Sequence, residues 1–176
     1  TVNQYYQFQK KSTTAKLEPH QYFTLNATVK DDDLIRKFVP DLKRFETITL
    51  QADFDSDTKK LNLEGEIPSL VYGENQIENG KIFVNNSDNK LNYDLNINSL
   101  SNESFKLNKI DINGDVENNT INLNASIKDE KDNTQFFVAA VVNNLNEQTK
   151  ISLKPNGLIL NHDQWTVSEN NSILIG

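Results

Sequence analysis

The stretch Lys90–Leu100, KLNYDLNINSL, alternates apolar and polar residues without interruption. Leu91, Tyr93, Leu95 and Ile97 fall on every second position, with Asn92, Asp94 and Asn96 between them. A period of two puts the first set on one face of an extended chain and the second on the other. The same alternation continues outward across Lys59–Val142, segment after segment, with Asn, Lys, Asp, Glu and Ser at most intervening positions. The chain therefore predicts a long antiparallel sheet with one apolar face and one wet face.

Upstream, Val2–Lys11 reads as an aromatic-rich strand with Tyr6 and Phe8 on one face, and Thr13–Leu17 is a candidate continuation of it. His20–Lys30 is a further strand, with Tyr22 or Phe23, then Leu25, Ala27 and Val29 alternating. Asp31–Phe45 is the one helical window: Leu34, Ile35, Phe38, Val39, Leu42 and Phe45 follow a 3.6-residue period. Asp31–Asp33 supply an N-cap and an acidic first turn, and Lys43 and Arg44 a basic last turn. Pro40 removes an N–H and clashes one turn back, so the reading is a short helix from about Asp32 to Val39. Its stripe of Leu34, Ile35, Phe38 and Leu42 is expected to dock on the sheet or plug one end of it.

Ile48, Leu50, Ala52 and Phe54 form another strand, closed by the turn Asp55-Ser56-Asp57. Pro68 ends or bends the next one. Leu107 and Ile110 differ in parity, a slip that calls for a bulge or a bend. Phe136–Val142 is apolar at both parities and so needs cover on both faces, with the helix as a candidate. Asn156-Gly157 has the composition of a tight turn.

A length of 176 residues suits one domain. Only 36% of residues are hydrophobic and the mean hydropathy is −0.64, as expected of a thin sheet whose strands are half wet. The net charge of −7 opposes nucleic-acid binding, which needs a clustered basic surface. Cysteine is absent, so no disulfide framework exists. The chain starts at Thr1 and is read as a segment of a longer protein.

Candidate chemistry is sparse. Asp53, Asp55, Asp57 and Glu64 have part of a calcium-loop spacing, but Thr58 stands where the loop needs glycine and strands flank it. The plainer reading is an acidic hairpin turn, so no metal site is assigned. His20 and His162 are read as surface histidines, with no cofactor or catalytic residue assigned. Trp165 is read as a core or strand-pairing anchor that fixes the terminus by burial.

Three passages carry a family resemblance. Leu158–Asn171, LILNHDQWTVSENN, resembles an element of TamB-type translocation and assembly proteins of Bacteroidetes, in which Leu-Asn, Trp-x-Val and an Asn close a group of strands. Asp33–Pro40, DLIRKFVP, and Leu61–Tyr72, LNLEGEIPSLVY, are similar to two further features of that family. The resemblance implies a non-enzymatic segment of an AsmA-like envelope protein, anchored in the inner membrane of a Gram-negative bacterium and crossing the periplasm. Such proteins look like folded-over sheets (a β-taco) with an apolar inner groove. The family is linked to outer-membrane protein assembly and to phospholipid movement between the membranes.

The resulting expectation is a mainly β chain: residues 1–176 as a single curved or folded-over antiparallel sheet with an open groove, and a helical insertion at about 31–44. The groove is lined by Leu61, Leu63, Ile67, Ile82, Val84, Leu91, Tyr93, Leu95, Ile97, Ile110, Ile112, Ile121, Leu123, Ala125, Ile127, Phe137, Ala139 and Val141. The implied partners are phospholipid acyl chains, the outer-membrane assembly machinery and neighbouring segments of the same chain. The competing expectation is a closed β-sandwich acting as an interaction or adhesin module, with the same residues as a filled core.

Overall fold

The structure, a computed structural model, describes residues 5–6, 20–87, 89–145 and 148–176. Apart from Tyr5 and Tyr6, the strands read at Val2–Lys11 and Thr13–Leu17 lie outside the described residues. The elements are β1 (Tyr22–Val29), α1 (Asp33–Phe38), β2 (Leu42–Phe45), β3 (Ile48–Asp55), β4 (Lys60–Tyr72), β5 (Asn75–Ser87), β6 (Lys90–Ser101), β7 (Lys106–Glu117), β8 (Thr120–Lys128), β9 (Thr134–Asn144), β10 (Thr149–Leu160), β11 (Asp163–Trp165) and β12 (Ile173–Ile175). They form one antiparallel sheet, not closed, in the order β1-β3-β4-β5-β6-β7-β8-β9-β10-β11; β2 pairs with β4, and β12 with β10. The chain is mainly β, and its single sheet is not the two-layered closed sandwich.

Asparagine makes several of the reversals. Asn118 and Asn119 adopt φ of +48° and +60° between the paired residues Glu117 and Thr120. Asn161 and His162 do the same between Leu160 and Asp163, at +52° and +72°. Positive φ at both central residues gives the turn whose twist matches the flanking strands, and asparagine tolerates it well. On the wet face, asparagine also stitches strands together: Asn92 Nδ2 donates to Asn85 Oδ1 at 3.1 Å and Asn124 Nδ2 to Asn113 Oδ1 at 3.2 Å.

The helix is shorter than its apolar stripe suggested, and it does not dock. Asp32 caps it, accepting from the Leu34 N–H at 2.7 Å, and the helix ends at Phe38, two residues before Pro40. No residue of α1 is buried; Leu34 is 59% and Phe38 80% exposed. The expected insertion at 31–44 is therefore corrected: Leu42–Phe45 forms strand β2, and Phe45, opposite Leu70, is buried. Beyond Pro40 the backbone has a sheet edge to pair with, and that pairing prevails over the helical period.

A crease crosses four strands. Pro68, Asn79, Asn98 and Lys109 are skipped by ladders that keep the same register on either side. Asn79 and Lys109 take φ of +50° and +46°, and Pro68 has no N–H to offer a ladder. The left-handed residue undoes the alternation. A Cβ added at Gly80 would lie 3.6 Å from both the Ile67 Cβ and the Ile77 Cγ2, so those isoleucines share its side. Phe45, Leu70, Ile77, Leu100 and Leu107, paired in series, extend the apolar face past the crease. The parity slip between Leu107 and Ile110 is this bend.

Strand β10 does not turn at Asn156-Gly157. Leu153 pairs with Ala140 and Leu158 with Val138, so residues 154–157 bulge opposite Ala139. The outer edge of β10 is covered by β12, β11 and, between them, the Asn171 side chain, which accepts from Leu153 N and donates to Leu153 O, each at 2.8 Å.

Candidate apolar groove

Residues directly opposite in an antiparallel ladder share a face, so the register locates the apolar surface. One row runs Leu25, Ala52, Leu63, Val84, Tyr93, Gly114, Leu123, Ala140, Leu153. The next runs Ala27, Leu50, Gly65, Ile82, Leu95, Ile112, Ala125, Val138, Leu158 and ends on Trp165. A third joins Ile67 through Gly80 to Ile97, Ile110, Ile127 and Phe136. A fourth joins Leu91, Val116, Ile121, Val142 and Ile151, with Leu61 next to Asn86 at its start. Apolar contact is thus continuous from β1 to β10 on one face.

Fifteen of the expected groove residues lie in these rows, and three do not. Phe137, Ala139 and Val141 pair with Ser126, Asn124 and Asn122, which places them on the opposite face; Phe136, Val138, Ala140 and Val142 hold the apolar face instead. Because β9 is apolar at both parities, its own sequence carried no parity signal, and the register with β8 decides. The cover on its second face is the β10 bulge: Ala139 is 3% exposed beneath Gly157, where an added Cβ would approach the Ala139 Cβ to 2.8 Å. Helix α1 plays no part in that cover.

The face is half open. Among the described residues no side chain falls below 2% exposure. Leu63, Leu95, Ile97, Ile112, Leu123 and Ala125 are neither buried nor fully exposed, and Ile82 is 39% exposed. A filled core would bury these central positions outright. A cluster of buried residues lies at one rim, where Tyr5, Tyr6, Leu91 and Val116 pack against Leu61, Val84, Tyr93 and Ile121. Neither tyrosine belongs to a strand, and sequence periodicity gave Tyr6 a face but not this seat.

Trp165 is 55% exposed rather than buried, because its three-residue strand lies at the sheet's margin. The opposite face has a hollow of about 450 Å³ over β3–β6, lined by Gln51, Glu64, Glu66, Lys81, Phe83 and Asp94 among others. Its charges are partly spent internally: Lys81 Nζ lies 2.9 Å from Glu66 Oε1, and Asn96 bonds Asp94.

The acidic turn is self-contained. Asp55 accepts from the Asp57 and Thr58 N–H groups at 2.8 and 3.2 Å, and those bonds hold its carboxyl below the usual aspartate range. Glu64 lies across the ladder from Gln51 on the wet face. Both histidines are exposed, and each has a carboxylate nearby: His20 is 3.3 Å from Asp55, and His162 3.9 Å from Asp129. Among the described residues, no three metal-ligating side chains converge. What the arrangement offers chemically is an extended apolar surface bounded by polar rims. Compared with known proteins, the chain matches no family model, no curated protein and no solved structure.

Proposed function

We propose that the sheet is a passive conduit for phospholipid acyl chains in the bacterial envelope, a segment of an AsmA-like, TamB-like protein serving lipid transport between the inner and outer membranes and outer-membrane assembly. One observation carries the reading: the apolar face is continuous through the register from β1 to β10, yet most of its central side chains remain partly exposed. Each methylene moved from water onto such a face gains about 0.8 kcal/mol. A tail can lie along the rows while its headgroup stays at the wet rim. Nothing in this arrangement couples to an energy source, so movement follows the lipid gradient.

The outer edge of β1 supports a continuing sheet. Among the described residues no strand pairs with the outer edge of β1, whose residues Tyr22–Val29 carry no charge. Edge strands meant to stay unpaired are usually guarded by charge, proline or a bulge. A neighbouring segment of the same protein is the natural partner for it.

The test is a photocrosslinker at Leu95 or Leu123 in the protein expressed in a Gram-negative envelope. Crosslinks to phospholipid, identified by mass spectrometry, are the expected result. Crosslinks to protein alone at both positions would remove the conduit reading and favour an interaction module.

A further inference from the structure

We infer that Tyr5 and Tyr6 are a built-in occupant of the apolar face, competing with an acyl chain for its Leu91–Val116 end. The inference rests on the acyl-chain reading above. Tyr5 and Tyr6 are 7% and 6% exposed, and they form one cluster with Leu91 and Val116, each 8% exposed. Further along the same two strands, Leu95 and Ile112 are only partly buried, while Ile110 is again buried. The tyrosines are the described residues outside the strands that cover Leu91 and Val116 at this end of the face.

Their attachment differs from that of every strand residue in the row. Among the described residues neither belongs to a strand. The Asn119 N–H donates to the Tyr5 carbonyl at 2.8 Å, and Asn86 Nδ2 donates to the Tyr5 hydroxyl at 3.0 Å. Both partners sit at the hairpin rim. Tyr5 thus lays an apolar ring on the row and sets a polar tip at the rim, the disposition of an amphiphile. A fatty tail offers the same rows comparable apolar contact, and the two cannot occupy them together. The β ladders survive the exchange because they do not run through Tyr5 or Tyr6.

The experiment is a fluorescence titration of the full chain with cis-parinaric acid, an 18-carbon fluorescent fatty acid, comparing wild type with Tyr5→Ala/Tyr6→Ala. The double variant should bind about tenfold more tightly, the change expected when a competing contact is removed. In the wild-type protein, which guards against a misfolded variant, saturating fatty acid should speed hydrogen exchange at the Asn119 amide as Tyr5 leaves. Equal affinity in both forms, with Asn119 exchange unchanged by the fatty acid, overturns the inference and leaves the acyl-chain reading standing. Absence of binding in both forms overturns the two together.

Discussion

The Tyr93 hydroxyl on β6 donates to the Asn122 carbonyl oxygen on β8 at 2.7 Å, spanning the width of β7 between them. It crosses at Gly114. A Cβ there would collide with the Asn122 oxygen and lie 2.6 Å from the Tyr93 Oη. Three strands are tied at a point where only glycine leaves room. Gly114→Ala should therefore cost about 2 kcal/mol or more, since the obstruction is backbone. Tyr93→Phe should cost only about 1 kcal/mol, one hydrogen bond. Urea denaturation of both variants measures the order; a larger loss for Tyr93→Phe would contradict the geometry.

The two phenylalanines beside Pro40 should respond oppositely. Phe38 is 80% exposed and Phe45 5%. Phe38→Ala should change stability by less than about 0.5 kcal/mol. Phe45→Ala should cost about 3–5 kcal/mol, because it empties a packed site against Leu70. Equilibrium unfolding of the pair checks both numbers, and a large effect at Phe38 would mean that α1 docks after all.

Period two was legible wherever one parity was apolar and the other polar, as in β6 and β8, and there the faces follow directly from the sequence. It fell silent in β9, where Phe136 and Phe137 are equally apolar and only pairing with β8 chooses between them. The crease left a trace, the slip between Leu107 and Ile110, without naming Lys109 as the left-handed residue. Two placements are set by an available strand edge and not by local pattern: Leu42 pairs against β4 in spite of the helical period, and Trp165 pairs with Leu158 as a strand anchor without the burial expected of it. The seat of Tyr5 and Tyr6 is a contact between distant parts of the chain and has no local signature.

Acid should weaken the fold. Backbone N–H groups of Thr58 and Asp57 lower the Asp55 carboxyl, the Asn133 N–H lowers Asp129, and Lys109 with Lys128 lowers Asp132. A folded-state value below the ordinary 3.8 means that the unfolded chain binds more protons in that range. The stabilisation is thus present above the ordinary aspartate value and lost as pH falls through the lower folded values. Melting temperature should be nearly flat above about pH 5 and fall below it. In Asp55→Asn the acid limb should be shallower; an unchanged limb would remove Asp55 from this account.

Asn171 stands in for a strand at the β10 edge through its two bonds to Leu153. Asn171→Ala should cost about 1–2 kcal/mol, the two lost bonds. It should also bare part of an edge, so that sedimentation shows concentration-dependent association. A variant that stays monomeric and fully stable would show that the edge needs no such cover.

The face assignment is tested by one pair of charges. Leu123 pairs with Gly114 and Ala140 on the apolar face, while Val141 pairs with Asn122 and Ser152 on the other. Both side chains are partly exposed, so an arginine at either can reach water with its head and leave the ladders intact. Leu123→Arg should abolish fatty-acid uptake, because a tail lying along that row meets a charge with no partner once its water is displaced. Val141→Arg should bind as the unmodified protein does, although sequence alternation alone groups Val141 with the groove. Circular dichroism confirms that both variants are folded before uptake is compared. If Leu123→Arg unfolds the chain and Val141→Arg does not, the apolar face is a filled core and the conduit reading fails. If Val141→Arg blocks uptake and Leu123→Arg does not, lipid lies on the face opposite to the one the register selects.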